Sequence, residues 1–278
     1  MAFKLSTVAC ATLLAFGASF AHASDWSDTS ISYRYGKKFG EPANSTPIAK
    51  NIVSFTHANG YKYGSNFFNL DVLKSDANDP AKDSNDGAQE LYLVYNHQLS
   101  LAKTTGVKLA AGPLSDVALS TGFDLSSKNN AFAAAVRKII VGPTAKFSFA
   151  GGWADLSLMY YKERNNNGIV GKKDNFDAAY RIAGAWAFPI ETGFIPLNFN
   201  GWFTQTGSKG KTSFGTDTKP ETWMDAFLMA DVGSLAGQKN TVWAGVGYEY
   251  VKNKFGNDHA TTAGANTSAV MGKVEWHF

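Results

Sequence analysis

The last eleven residues, SAVMGKVEWHF, constrain the fold more than any other stretch. Val270, Gly272, Val274, Trp276 and Phe278 alternate with Met271, Lys273, Glu275 and His277. Successive side chains of a strand point to opposite faces, so one face is apolar with an aromatic end and the other is polar. A strand that stops on an aromatic at the C-terminus reads as the closing strand of a transmembrane β-barrel. Trp276 and Phe278 then belong to the lower aromatic girdle.

The other end of the chain reads as an export signal. Residues 1–23 carry Lys4, an apolar run rich in small residues, and Ala21-His22-Ala23. That is a charged n-region, an h-region and a small-x-small cleavage site, which predicts a mature chain starting at Ser24. The apolar stretch is too short for an anchor. Cys10 sits too early for a lipoprotein site and leaves with the signal. It is the only cysteine, so the mature chain has no disulfide and no thiol chemistry. No later window holds the roughly 18 apolar residues of a spanning helix. The mean hydropathy is negative. That excludes a helical-bundle membrane protein but not a barrel, whose strands need only alternate apolar residues.

The formal charge is +3 with no basic block, so a nucleic-acid partner has no support. Aromatics make up 14% of the chain beside 27 glycines, a composition that suits girdles and turns. Alternating segments fall at 28–36, 50–58, 66–75, 88–98, 115–126, 131–141, 153–163, 178–188, 194–204, 222–232, 240–251 and 268–278. Each is near the roughly 9–11 residues that cross a bilayer when tilted. The fold class is therefore all-β, an antiparallel outer-membrane barrel of about 12 strands over residues 24–278, with both termini periplasmic. No segment reads as a helix. The outer loops are expected at 37–49, 76–87, 127–130, 164–177, 205–221 and 252–267. The inner turns are expected at 59–65, 142–152, 189–193 and 233–239, and 99–114 is long for a turn.

Parity sorts the side chains. Lipid-facing sets include Ile31, Tyr33 and Tyr35; Leu91, Leu93 and Tyr95; Val117, Leu119 and Phe123; Leu156, Leu158 and Tyr160; Ile195, Leu197 and Phe199; Val242, Val246 and Tyr248. The opposite parity assigns to the lumen Arg34, Phe67, Asn69, Asp71, Glu90, Tyr92, Asn96, Asp124, Tyr161, Glu163, Arg181, Asn198, Asn200, Trp202, Trp223, Asp225, Phe227, Trp243, Glu249, Lys273 and Glu275. The signs are mixed, so no strong preference for cations or anions follows. Aromatic faces beside carboxylates and amides suit a flat, polar, neutral solute that stacks on rings and bonds through its edge. Such aromatics also fill space or build girdles in barrels of this kind.

The chain resembles the nucleoside-specific channel-forming outer-membrane porins (Tsx-like). The residues that carry this are Tyr33-Arg34-Tyr35-Gly36 with Phe39 and Glu41-Pro42, and the most specific block, YKYGSNFFNLDVLKSDANDP at 61–80. Further ones are Glu90-Leu91-Tyr92 with Val94-Tyr95, and Thr105-Gly106 with GPLSDVALSTGFDLSSKNNAF. Leu158-Met159-Tyr160-Tyr161-Lys162-Glu163 and Gly201-Trp202-Phe203 follow. Gly245 to Tyr250 with Asn253-Lys254-Phe255-Gly256, and the terminal Trp276-His277-Phe278, complete the set. The resemblance implies a narrow monomeric barrel of about twelve strands. It also implies passive diffusion of nucleosides past aromatic and ionisable groups, with phage or colicin reception through outer loops in some members.

The candidate pore-lining residues are Phe67, Asn69 and Asp71 in the specific block. By lumen parity Tyr161, Glu163, Arg181, Trp223, Asp225 and Phe227 join them. A general or differently selective small-solute porin is the alternative. A barrel hydrolase needs an activated nucleophile and base, and His57, His97, His259 and His277 show no evident Ser and carboxylate partners. The acidic loop with Asp76, Asn78, Asp79, Asp83, Asn85 and Asp86 lacks the order of an EF-hand and reads as solvated. No metal or other cofactor is expected.

Overall fold

The computed structural model describes residues 24–81, 87–130, 133–168 and 171–278. Residues 1–23, expected to be the export signal, and Asp83, Asn85 and Asp86 of the acidic loop lie outside the described residues. Twelve antiparallel strands close into a barrel. In chain order they are β1 (Ser24–Glu41), β2 (Asn44–Tyr61), β3 (Gly64–Ser75), β4 (Gln89–Ser100), β5 (Leu114–Lys128) and β6 (Arg137–Ser148). β7 (Trp153–Asn167), β9 (Ala179–Ile190), β10 (Leu197–Thr206), β11 (Glu221–Asp231), β12 (Val242–Lys252) and β13 (Asn266–His277) complete the ring. A short β8 (Lys172–Asn175) pairs with the end of β7 outside the ring. Closure runs through β13, whose Trp276 and Lys273 face Ile31 and Arg34 of β1. A bilayer supplies no hydrogen bonds, and closure leaves no strand edge unpaired.

The outside follows the predicted parity. Ile31, Tyr33, Leu91, Leu119, Ile139, Leu156, Leu158, Val246, Val270 and Val274 are all exposed large apolar residues. Around them lie two aromatic rims. Trp26, Tyr63, Phe149, Trp153, Phe194, Trp276 and Phe278 ring the end that carries the termini, and Tyr35, Tyr160, Tyr180 and Tyr248 lie toward the other. Apolar area of this extent, closed into a cylinder, belongs in the hydrocarbon of the outer membrane.

The structure departs from the sequence reading where punctuation residues mislead. Gly142-Pro143 reads as a turn but sits inside β6, so that strand spans Arg137–Ser148 rather than 131–141. Proline has no N–H to donate, and the β6–β7 ladder skips from Val141↔Tyr160 to Thr144↔Ser157 without losing register. The actual turn is Phe149 to Gly152, closed by reciprocal backbone bonds. Segment 37–49 is mostly paired hairpin rather than loop, with register shifts at Gly36/Phe39 and Phe39/Glu41. Within 99–114 a single helical turn, α1 (Leu101–Thr105), is capped by the Ser100 side chain and ended by Gly106 at φ 77°.

Part of the inside is a dry core. Phe39, Ile48, Ile52, Phe227, Met229, Ala269 and Met271 pack together with Leu73 and Trp243 against the wall formed by β11–β13 and β1–β3. Phe227 fits there because its cross-strand neighbour is Gly247, where a Cβ would lie 2.2 Å from the Phe227 ring.

Candidate functional site: the barrel lumen

Four groups of inward polar side chains divide the lumen. The first centres on Arg34 of β1. Its Nη2 donates to Asp71 of β3 at 2.7 Å, and its Nη1 to Asp225 of β11 at 3.4 Å. The strand order β3-β2-β1-β13-β12-β11 places these carboxylates two and three strands from Arg34, so one guanidinium ties together a broad arc of wall. Asn69 donates to Asp71 at 2.8 Å and accepts from Thr56 at 2.8 Å, fixing the carboxylate on its strand. Arg34 Nε, Asp225 Oδ1 and the Trp223 indole Nε1 are buried and find no partner among the described residues. Unpaired buried polar atoms are rare in folded proteins.

Beside this group the lumen is accessible. Trp202 on β10 is the direct cross-strand neighbour of Asp225, and it is 39% exposed although it points inward. Phe67 on β3 also points inward and is 39% exposed. Asn198 and Asn200 follow Trp202 along the same face, with Asn200 donating to Asn198 at 3.0 Å. Glu249 flanks Asp225 on its other side. Lys273 pairs with Glu275 at 2.6 Å and lies 5.0 Å from the centre of the Phe227 ring.

The second group holds Tyr161, Glu163 and Arg181. The Arg181 guanidinium stacks 4.1 Å over the Tyr161 ring and its Nε donates to Thr206 at 2.9 Å. The Tyr161 hydroxyl donates to Glu163 at 2.5 Å. Lys209, from the segment between β10 and β11, reaches the same carboxylate oxygen at 2.5 Å, and both partners' side chains are only 1% exposed. This segment therefore folds into the barrel mouth. The three residues come together, but as a buried anchor for a loop rather than as open wall.

The third group lies at the mouth opposite the termini. Lys254, just after β12, bonds Glu41 of β1 at 2.8 Å and the Gly40 carbonyl at 2.9 Å. Glu41 also lies 3.8 Å from Lys128 of β5, which is 3.7 Å from Glu90 of β4. A further polar cluster near the terminal end joins Lys146 to Asp155 at 2.8 Å, with Gln98 bonding both.

Of the nine candidate residues, Phe67, Asn69, Asp71, Trp223 and Asp225 thus lie at or beside the accessible lumen, Tyr161, Glu163 and Arg181 form the loop anchor, and Phe227 belongs to the dry core. Arg34 and Trp202 carry lumen parity in the sequence but are not among the nine candidates, and the structure adds them. Lys209 and Lys254 lie in loops, where no period marks them. His57 bonds Thr29, His97 bonds Tyr61, His259 bonds Asn253, and His277 bonds Asp28 and Glu275. No cluster of metal-ligating side chains occurs among the described residues.

No protein-family model and no curated protein sequence matches the chain. Solved structures do. The COG4313 outer-membrane channel from Pseudomonas putida F1 superposes with a TM-score of 0.53 at 10% identity, covering 93% of this chain and 98% of that one. The NanC porin gives 0.48 at 11% identity, over 88% of this chain and 97% of that one. The KdgM porin gives 0.44 at 10% identity, over 90% and 99%. At such identities the likeness is one of fold, an outer-membrane β-barrel.

Proposed function

We propose that this barrel is an outer-membrane channel for passive diffusion of small polar solutes, and that nucleosides are the solutes it selects. One observation carries the reading. The accessible Trp202 ring stands next to the Asp71–Arg34–Asp225 cluster, so an open aromatic face adjoins a concentrated set of charged groups. A heterocyclic base stacks on an aromatic face and presents donors and acceptors at its edge, whereas a sugar lacks the flat face. Phe67, Asn69 and Asp71 supply a second ring and more polar partners. Mixed charge along the wall suits a neutral solute, and weak sites in series let it both enter and leave.

In this reading residues 1–23 are the cleaved export signal, both termini are periplasmic, and the mouth closed by Lys254 and Lys209 faces outward. The chain acts as a monomer in outer-membrane lipid, and its outer loops are the surface a phage or colicin would meet. The resemblance to the Tsx-like channels supports the nucleoside assignment. Liposome swelling tests it: vesicles carrying the barrel should swell faster in thymidine than in a sugar of similar size. Trp202→Ala should remove that advantage, and equal wild-type rates for both solutes would overturn the nucleoside assignment.

A further inference from the structure

The turn after β12 is strained in a way that serves one side chain. Asn253 (φ 58°, ψ 47°) and Phe255 (φ 58°, ψ 20°) both occupy the left-handed region, and Gly256 follows at φ 83°. Two L-residues in this region, one of them aromatic, cost free energy and persist only where the surroundings impose them. The surroundings do so here. Asn253 donates to the Pro220 carbonyl at 2.8 Å and accepts from the His259 backbone N–H at 3.0 Å. The Lys254 N–H donates to Ala265, and the Lys219 N–H donates to Gly256. The residue between the two strained positions is Lys254. Its ammonium is directed inward onto Glu41, 5.7 Å from the centre of the Trp223 ring and 5.4 Å from that of Phe255.

From this we infer that Lys254 is the specificity-determining residue of the channel mouth, a fixed cation that narrows the entrance and balances its carboxylates. The Lys254–Glu41–Lys128–Glu90 chain runs from the β12–β13 loop through β1 to β5 and β4, and its side chains are only 3–16% exposed, so it closes the part of the mouth that it spans. Glu41, with two ammonium groups, is the hub. Without Lys254 the mouth gains one net negative charge and loses a side chain from its bore. The inference rests on the channel reading, but it concerns ions and pore size and is independent of which solute is selected.

The test is single-channel recording of the refolded full-length mature barrel in KCl, for wild type, Lys254→Met and the charge-neutral pair Lys254→Met/Glu41→Gln. Folding of each is verified by its heat-modifiable gel mobility. The single variant should raise the cation-over-anion permeability ratio about 30-fold, the square of the Boltzmann factor of one unit charge at about 4 Å in bulk water, since cations gain what anions lose. The double variant should return the ratio to the wild-type value while conducting more current per channel. A silent wild type with a conducting double variant also supports the inference. Folded variants with unchanged ratio and conductance, or silence in all three, would overturn it. Nucleoside titration in the same recordings separates the two readings. A shifted ion ratio without nucleoside block sinks only the nucleoside assignment, and nucleoside block with unshifted ratios sinks only the role of Lys254.

Discussion

Replacing Lys209 by Met should be among the most destabilising single changes in this barrel. The ammonium lies 2.5 Å from Glu163, and both side chains are almost completely buried. At an effective dielectric of about 20, the gross attraction at that separation is about 6–7 kcal/mol. Desolvation offsets much of it, and breaking a buried pair by removing one partner costs about 3–5 kcal/mol. Methionine leaves Glu163 with one hydrogen bond, from Tyr161, since its Oε1 finds no partner among the described residues. The cost of Lys209→Met is therefore about 3–4 kcal/mol. Glu163→Gln should cost a similar amount by stranding Lys209 against the Phe176 ring, 4.5 Å away. The double variant should lie within about 1 kcal/mol of wild type, because both desolvation costs vanish with the charges. Urea unfolding of the reconstituted barrel, followed by tryptophan fluorescence, measures the cycle. Single variants costing under about 1 kcal/mol and adding without coupling would refute the claim that this pair anchors the loop.

Gly247→Val should destabilise by about 1–3 kcal/mol, because any side chain there meets the Phe227 ring and the dry core must shift; urea titration reads it, and a neutral result would mean the core is loosely packed. Phe67→Ala and Asp71→Ala should each slow nucleoside flux more than the flux of a similar-sized sugar, measured by liposome swelling, and equal loss for both solutes removes these residues from recognition. Trp202→Ala should weaken nucleoside affinity by about 1–3 kcal/mol, the worth of one base stacked on an aromatic ring, seen as a rightward shift of the blocking titration.

The strands were legible because a membrane wall imposes a period of two on every element, and Ile31-Tyr33-Tyr35 or Leu156-Leu158-Tyr160 display it without ambiguity. Parity also assigns the lumen face, but it says nothing of how full the lumen is. Trp202 and Phe227 share that face, yet Phe227 is 5% exposed because Gly247 makes room for its ring, while Trp202 stays accessible. Contacts across the barrel are equally hidden: Arg34 and Asp225 are 191 residues apart, and only ring closure brings them together. Loop anchors such as Lys209 and Lys254 carry no periodic signal at all. Pro143 misleads because its usual meaning as a turn residue yields here to a strand that continues past a skipped ladder position.

The most direct test of the central claim is single-channel conductance of the refolded barrel in a planar bilayer with thymidine or adenosine titrated in. The account predicts saturable block by nucleoside, none by glucose, and loss of the block in Trp202→Ala. Steady current that neither solute affects would contradict it, leaving a barrel whose lumen passes ions without recognising a base.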